Sequence, residues 1–232
     1  MKDELIQSLA DINLFSGLSK QELVAIEKDC HWRRFASHQQ IIDKEGESRD
    51  IYFVVNGSVR VVNYSYSGRG IILDELLAGS HFGELSAIDG KPRSARVVSI
   101  GESLIAWMPR KKFLKTLETH PKMALIVMTV LAGMVRVSTQ RIMDLSTLGA
   151  NNRVHADLLR LIGEISDDMV EAVIDPMPIH NDIASRVSTT RETVARVMND
   201  LSRSGIVEKQ GHKLLVKDVQ RLQEMVEEVR GE

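Results

Sequence analysis

Residues 46–107 read GESRDIYFVVNGSVRVVNYSYSGRGIILDELLAGSHFGELSAIDGKPRSARVVSIGESLIAW, and this stretch decides the fold. Glycines fall at 46, 57, 68, 79, 90 and 101, each eleven residues after the last. Between them lie the β-rich runs IYFVV, SVRVVNY, IILDELL, ARVVSI and SLIAW. Turn residues every ~8–12 positions with short apolar runs between them predict an antiparallel barrel or sandwich. The intervening residues do not recur, so the spacing marks turns and not a sequence repeat. The fold class expected is α+β, with an antiparallel, jelly-roll-like β-roll in the N-terminal part.

Working outward, residues 5–28 have helical spacing and would flank the β unit. On the other side, MALIVMTVLAGMVRVSTQRIMDLSTL at 123–148 holds no proline and only one glycine, Gly133. Leu131, Val135, Ser138, Ile142 and Leu145 follow one another at steps of 4, 3, 4 and 3, the seam of a coiled coil. A helix of about 25 residues runs ~38 Å, and its stripe needs a partner. A second copy of the same helix is the economical choice, and packing against the chain's own β unit is the alternative. Gly149-Ala150-Asn151-Asn152 breaks the pattern and reads as a hinge. Residues 153–165 look helical. An acidic loop with Asp167, Asp168, Glu171 and Asp175 follows, and Pro176 and Pro178 bar a helix there. Two further helical segments lead to IVEKQGHKLLVKD, two short strands joined at Gln210-Gly211 as a wing. The expected layout is a β-roll at 1–117, a dimerisation helix at 118–148, a hinge at 149–152 and a winged helix-turn-helix at 153–232.

Composition narrows the function classes. The chain has 232 residues, 43% of them hydrophobic and 27% charged, enough to bury ordinary cores. No run approaches the ~18 apolar residues of a membrane span, and the start lacks the features of a signal or transit peptide. The single cysteine, Cys30, excludes an internal disulfide and argues against a cysteine-ligated metal or iron–sulfur centre. A cytoplasmic, metal-free protein with no membrane partner is expected. The net charge of −2 hides a local excess. Residues 183–217 carry seven bases against three acids, a net charge of +4. Phosphate binding needs such a patch, not a basic protein.

The chemistry-bearing segment is Phe82-Gly83-Glu84-Leu85-Ser86-Ala87, followed by Pro92-Arg93-Ser94-Ala95. A glycine lets backbone N–H groups approach a phosphate, and a short helical turn after it adds its positive end. A glutamate accepts from a ribose 2′-hydroxyl, and an arginine supplies a charge-assisted contact to phosphate. With no second carboxylate and no nucleophile–base pair beside Glu84, an enzyme is disfavoured. The segment resembles the phosphate-binding cassette of cyclic-nucleotide-binding domains. The chain from about Leu14 to Lys217 resembles the CRP/FNR family of bacterial regulators, in its cAMP receptor protein branch. The resemblance implies a nucleotide site of Gly83, Glu84, Leu85, Ser86, Arg93 and Ser94, with Gly83 and Glu84 on the ribose and Arg93 and Ser94 on the cyclic phosphate. It also implies that Ser138 and Thr139, in the seam, are the purine-contacting pair, one reaching its own subunit's nucleotide and one the partner's. Hydroxyl back-bonding within the helix is the bland reading of that pair. His81 reads as a half-exposed strand histidine and not as a haem ligand.

In the basic window, residues 181–187 read as the first helix of a helix-turn-helix and Ser188-Thr189-Thr190 as its turn. Thr190 or Thr189 can N-cap the next helix, and Thr189 with Glu192 fits a capping box. That second helix would bury Val194, Val197, Met198 and Leu201, show Arg191, Glu192 and Arg196, and end at Gly205. Arg-Glu-Thr-Val-x-Arg resembles the family's recognition helix. The resemblance implies a half-site like TGTGA, read by Arg191, Glu192 and Arg196. Thr190 and Thr193 beside them are further expected DNA contacts, and the wing lysines Lys209 and Lys213, next to a turn, are expected to meet phosphate. Ser188 stands where the family often has a turn glycine. The expected function is a homodimeric transcription regulator, an activator or repressor working through RNA polymerase on double-stranded palindromic DNA. Its effector would be cAMP, with cGMP as a second ligand. Two alternatives are an effector-independent regulator and a cyclic-nucleotide-binding regulatory subunit of an enzyme. His31, Arg33 and Lys112 match a family activation surface only loosely.

Overall fold

The computed structural model describes residues 8–65, 70–166 and 168–230. Residues 5–7 of the expected first helix, the turn glycine Gly68 and Asp167 of the acidic loop lie outside them. The chain falls into two compact units that part after residue 134, with the described residues 70 and 71 at the start of one strand grouped with the second.

In the first unit, α1 (Lys20–Glu27) precedes the strands β1 (His31–Phe35), β2 (Gln40–Ile42), β3 (Ile51–Asn56), β4 (Ser58–Tyr64), β5 (Gly70–Leu77) and β6 (His81–Phe82). Then come α2 (Glu84–Asp89), β7 (Arg96–Ser99), β8 (Ser103–Met108), α3 (Arg110–Thr119) and the start of α4 (Pro121–Thr147). The strands make two four-stranded sheets, in the orders β1-β8-β3-β6 and β2-β7-β4-β5. The described pairings are antiparallel. Gly46, Gly57, Gly79, Gly90 and Gly101 all lie between elements, as the eleven-residue spacing predicts.

Side-chain parity divides the core. Along β3, Tyr52 and Val54 join Phe35, Ile42, Val59, Phe82, Val97 and Ile105 in one cluster. Ile51 and Phe53 point the other way and join Leu14, Phe15, Ile26, Phe113, Met123 and Val127 beneath the helices. A strand buried on both faces reads as a continuous apolar run, which is why IYFVV is so visible. The expectation of one helix over residues 5–28 needs correction. Residues 13–15 form a single 3-10 turn, and α1 starts afresh at Ser19, whose hydroxyl and Glu22 form a reciprocal capping box. Those orphan N–H groups are satisfied locally, so the helix begins there and not upstream.

The helix α4 is 27 residues long. Its first turns sit in the core of the first unit through Met123 and Val127. By length and composition alone it is apolar enough to cross a membrane, although its apolar residues are interrupted by Thr129, Arg136 and Ser138 and form no run of 18. Along the seam, Val135 is 65% and Ile142 64% exposed on the single chain, and Leu145 is exposed with them.

The second unit continues from α4 into α5 (Ala150–Ile162), β9 (Ala172–Ile174), α6 (His180–Arg186), α7 (Arg191–Arg203), β10 (Val207–Gln210), β11 (Lys213–Val216) and α8 (Val219–Arg230). Gly149 is the extended N-cap residue of α5, and Ala150, Asn151 and Asn152 already belong to its first turn. The break between the two helices is thus narrower than four residues. The wing strands pair antiparallel, and β9 adds a third strand beside β11 in the order β10-β11-β9. Val154, Leu158, Ile183, Val194, Val197, Met198, Leu201, Leu214, Val216 and Leu222 close one core.

A chain of polar contacts built around two buried aspartates crosses this unit. Gln140 Nε2 donates to Asp144 Oδ1 at 3.1 Å, and Arg160 Nη2 donates to Asp144 Oδ2 at 2.6 Å. Arg160 Nη1 reaches Asp157 Oδ1 at 3.1 Å, and Arg186 Nε reaches Asp157 Oδ2 at 2.9 Å. Both aspartates are buried, so each carboxylate depends on these donors. The relay runs from α4 through α5 to α6.

Candidate functional site

The first candidate site is built where β6 hands the chain to α2. Gly83 makes the turn at φ 83° and ψ 8°, in the left-handed region. A Cβ there would lie 2.7 Å from Arg93 Nη1 and 3.1 Å from the Asp50 carbonyl oxygen. Only glycine therefore admits both the turn and the arginine. Arg93 is 4% exposed. Its Nη1 donates to the Gly83 carbonyl at 3.1 Å, and its Nη2 donates to the Asp50 carbonyl at 2.8 Å and the Ser48 hydroxyl at 3.2 Å. The guanidinium carbon stands 5.5 Å from the centroid of the Tyr52 ring.

Glu84, the first residue of α2, is also 4% exposed, and its Oε2 has no hydrogen-bond partner among the described residues. Burial pushes its carboxyl above the usual range, opposed by backbone N–H groups and the nearby Arg93 charge. A buried cation and a buried carboxylate with an unmet oxygen, beside a left-handed glycine turn, suit a small ligand carrying both an anion and a hydroxyl. Leu85 and Ser94 are exposed. Ser86 is buried, with its hydroxyl donating to the Pro92 carbonyl at 3.3 Å, so it braces the segment from inside.

Sequence reasoning missed what backs this site. Directly paired rings cross one sheet: His31 on Trp107 (5.4 Å), Trp107 on Tyr52 (6.2 Å) and Tyr52 on Phe82 (5.2 Å), ending next to Gly83. The register was the missing signal, since it brings residues far apart in sequence onto one face. His81 needs correction: it is a strand residue as expected but 5% exposed, and burial pushes its imidazole down to about 4. Parity turns it to the face opposite Phe82, towards the side of Phe53.

Ser138 and Thr139 fall in the other compact unit. Both are exposed. Thr129, Ser146 and Thr147 on the same helix donate back to carbonyls four residues earlier, but neither Ser138 nor Thr139 makes such a bond among the described residues. Their hydroxyls stand open beside Val135 and Ile142.

The second candidate site is the pair α6 and α7. Thr190 is the N-cap of α7, and its hydroxyl accepts from the Thr193 N–H at 3.2 Å. The expected box between Thr189 and Glu192 does not form, because Thr189 is buried in the turn and the cap falls one residue later. Ser188 sits at φ 53°, where the family's glycine would be relaxed. Arg153 holds that turn from behind, donating to the carbonyls of Val187 (2.8 Å) and Ser188 (3.3 Å), a role not foreseen from the sequence. Val194, Val197, Met198 and Leu201 are buried, and Gly205 follows the helix with positive φ, as expected. Arg191, Glu192 and Arg196 are exposed on α7, and Thr193 is half-buried. On the wing, Lys213 Nζ lies 2.8 Å from Asp175 Oδ2, and His212 Nε2 lies 3.5 Å from the same carboxylate. Lys209 is exposed and has no ion pair among the described residues.

Two family models match this chain. One, described as a cyclic nucleotide-binding domain, covers residues 32–120. The other, described as a Crp-like helix-turn-helix domain, covers residues 152–225. The cAMP-activated global transcriptional regulator CRP of Salmonella typhimurium is 27% identical over 191 residues, 81% of this chain and 90% of that protein. The CRP-like cAMP-activated global transcriptional regulator of Mycobacterium tuberculosis is 26% identical over 216 residues, 92% of this chain and 96% of that protein. Among solved structures, a CooA mutant from Carboxydothermus hydrogenoformans superposes with a TM-score of 0.78 at 22% identity, covering 90% of this chain and 92% of that one. FixK2 from Bradyrhizobium japonicum gives 0.70 at 22% identity, covering 84% and 96%. These two likenesses bear on the fold alone. A cyclic nucleotide-binding β-roll, a long connecting helix and a Crp-like helix-turn-helix in one chain make this protein a DNA-binding transcription regulator of the CRP/FNR family.

Proposed function

We propose that this protein is a cytoplasmic homodimer that binds cAMP, accepts cGMP as a second ligand, and reads a palindromic TGTGA-like operator to regulate transcription through RNA polymerase. The observation that carries the nucleotide half is the pair of buried groups at the turn. Arg93 has its guanidinium fixed by three acceptors, while Glu84 keeps an unmet carboxylate oxygen in the interior. An unsatisfied buried acceptor is costly, and a ribose 2′-hydroxyl donating to Glu84 would relieve it while the cyclic phosphate meets Arg93. Gly83 supports the approach of the ligand to the backbone, and Ser94 offers a hydroxyl at the open side. Leu85 and Ser86 then shape and brace the turn.

The open hydroxyls of Ser138 and Thr139 lie in the apolar stripe that a second copy would cover. A purine met there would be touched by both subunits, which links ligand binding to the packing of the two α4 helices. Hydroxyls donate and accept, so they suit adenine and guanine alike. On the reader, Arg191, Glu192 and Arg196 would meet base edges in the major groove. Thr190 and Thr193 lie at the start of the same helix, where backbone phosphates approach. Lys209 is better placed than Lys213 to meet phosphate, since Asp175 already engages Lys213. The protein acts as a regulator and not as a catalyst, with no metal cofactor and no membrane partner.

Titration calorimetry of the full chain with cAMP and with cGMP tests the effector. Binding of cAMP, with cGMP within about two orders of magnitude, is the expected result. No heat with either would reject the reading and leave an effector-independent regulator. Fluorescence anisotropy with a palindromic duplex, with and without nucleotide, tests the coupling to DNA.

A further inference from the structure

The loop between β2 and β3 contains an arginine that the nucleotide site as described does not use. Arg49 Nη1 donates to the carbonyls of Gly46 (3.0 Å), Glu47 (2.6 Å) and Ser48 (3.0 Å) of its own loop. Its Nε donates to the carbonyl of Gly90 at 3.2 Å, the residue that caps the end of α2. One side chain thus folds the loop around itself and stitches it to the helix that opens with Glu84.

From that loop, two acceptors face Arg93. They are the Ser48 hydroxyl at 3.2 Å and the Asp50 carbonyl at 2.8 Å. The Ser48 hydroxyl also lies 3.5 Å from the Tyr52 hydroxyl, whose ring stands beside the guanidinium. Arg93 therefore donates two of its three internal hydrogen bonds to a segment whose shape depends on Arg49. An arginine that must meet a phosphate gains when its rotamer is already fixed, because less is lost on binding.

We propose that Arg49 is a positioning residue for nucleotide binding. It acts through Ser48 and Asp50 on Arg93 and makes no contact with the ligand itself. The proposal rests on the reading that Arg93 receives the cyclic phosphate.

The test is a double-mutant cycle on the full-length dimer, using Arg49→Ala, Arg93→Gln and the pair, with cAMP affinity measured by calorimetry. Arg49→Ala should weaken binding about tenfold, a change of about 1.4 kcal/mol. In the Arg93→Gln background it should change nothing further, since the group it positions is gone. The two phosphorothioate diastereomers of cAMP differ only at the exocyclic phosphate atoms. Arg49→Ala should narrow the affinity gap between them, which a general loosening of the domain would not do. Arg49→Lys should not restore the gap, because a single ammonium cannot span the loop carbonyls and Gly90 together. Ser48→Ala, which leaves the loop's backbone ties intact, should give a smaller loss of the same kind and decides the matter should Arg49→Ala fail to fold. Wild-type affinity in Arg49→Ala, or full additivity with Arg93→Gln, would overturn the inference while leaving the nucleotide reading in place. A wild-type protein that binds neither cAMP nor cGMP would overturn both.

Discussion

Replacing Gly83 by alanine, with Gly90→Ala as its control, separates backbone strain from the geometry of the site. Both glycines have positive φ, 83° and 74°. An L-residue in that region costs about 1–2 kcal/mol, partly offset by a stiffer unfolded chain at about 0.4–1 kcal/mol. A Cβ at Gly90 would meet Arg110 Nη2 at 3.5 Å, an ordinary contact, so Gly90→Ala should lose about 1 kcal/mol. At Gly83 the added atom would lie 2.7 Å from Arg93 Nη1, and the guanidinium is enclosed by Asp50, Ser48 and Tyr52. Moving it breaks at least the bond to the Gly83 carbonyl, and a hydrogen bond from a charged donor contributes about 1.5–3 kcal/mol. Gly83→Ala should then lose about 2.5–4 kcal/mol and at least about tenfold in nucleotide affinity, whereas Gly90→Ala keeps its affinity. Both tryptophans, Trp32 and Trp107, lie in the β-roll, so urea unfolding followed by tryptophan fluorescence reports this unit. Calorimetry with cAMP supplies the affinities. Equal losses from the two variants in both assays would show that Arg93 is not held against Gly83 as described.

Glu84 should give pH effects of opposite sign. Burial raises its folded carboxyl above the unfolded value, so the free β-roll takes up this proton first and gains stability as pH falls through the raised value towards the ordinary carboxylate range. Over the same window nucleotide affinity should fall, because a protonated carboxyl accepts poorly. Glu84→Gln should flatten both curves in urea unfolding and calorimetry, and parallel trends in the wild type would contradict the role given to the carboxylate. On the reader, Arg196→Ala should cost about 1–3 kcal/mol on the preferred palindrome and relax preference at one base pair. Anisotropy against single-base variants checks this, and equal loss for every variant would make Arg196 a phosphate contact. Lys209→Ala should weaken all sequences alike and reduce the salt slope by about 0.9, with a smaller change for Lys213→Ala. Ile142→Glu, in the open stripe of α4, should yield monomers by sedimentation, and an unchanged oligomer would move the interface elsewhere.

What could be read from the sequence follows from where each element lies. β3 and β8 are buried on both faces, and their apolar runs stand out. β1 is an edge strand whose Arg33 and Arg34 are both exposed although they lie on opposite faces, so its polar sequence gives no period to find. β9, three residues long, is too short to show a period. Residues 5–28 mimic one helix because the core residues Leu9, Ile12, Phe15 and Leu18 follow one another at steps of three, yet the Ser19–Glu22 box that starts α1 was there to be read. The motif residues Gly83, Glu84 and Arg93 converge as their spacing suggests. Their burial, the ring ladder behind them and the Arg49 clamp depend on pairing between distant segments, which no local pattern encodes. The same holds for Lys213, whose partner Asp175 is 38 positions away. Three consecutive polar residues, Ser188, Thr189 and Thr190, leave the cap ambiguous by one position, and only the backbone resolves it.

The polar relay from Gln140 to Arg186, built on two buried aspartates, has a consequence for how such regulators exchange parts. A crossover at Gly149 would look natural, since it lies between two helices. It would leave Asp144 with the old sensor and leave Arg160 in the new protein sharing Asp157 with Arg186. A crossover placed before Gln140 moves all the charges together. The unit that recombination can pass on intact is therefore the winged helix with the last two turns of the long helix attached, and natural chimaeras of this lineage should carry their seams inside that helix instead of at its end.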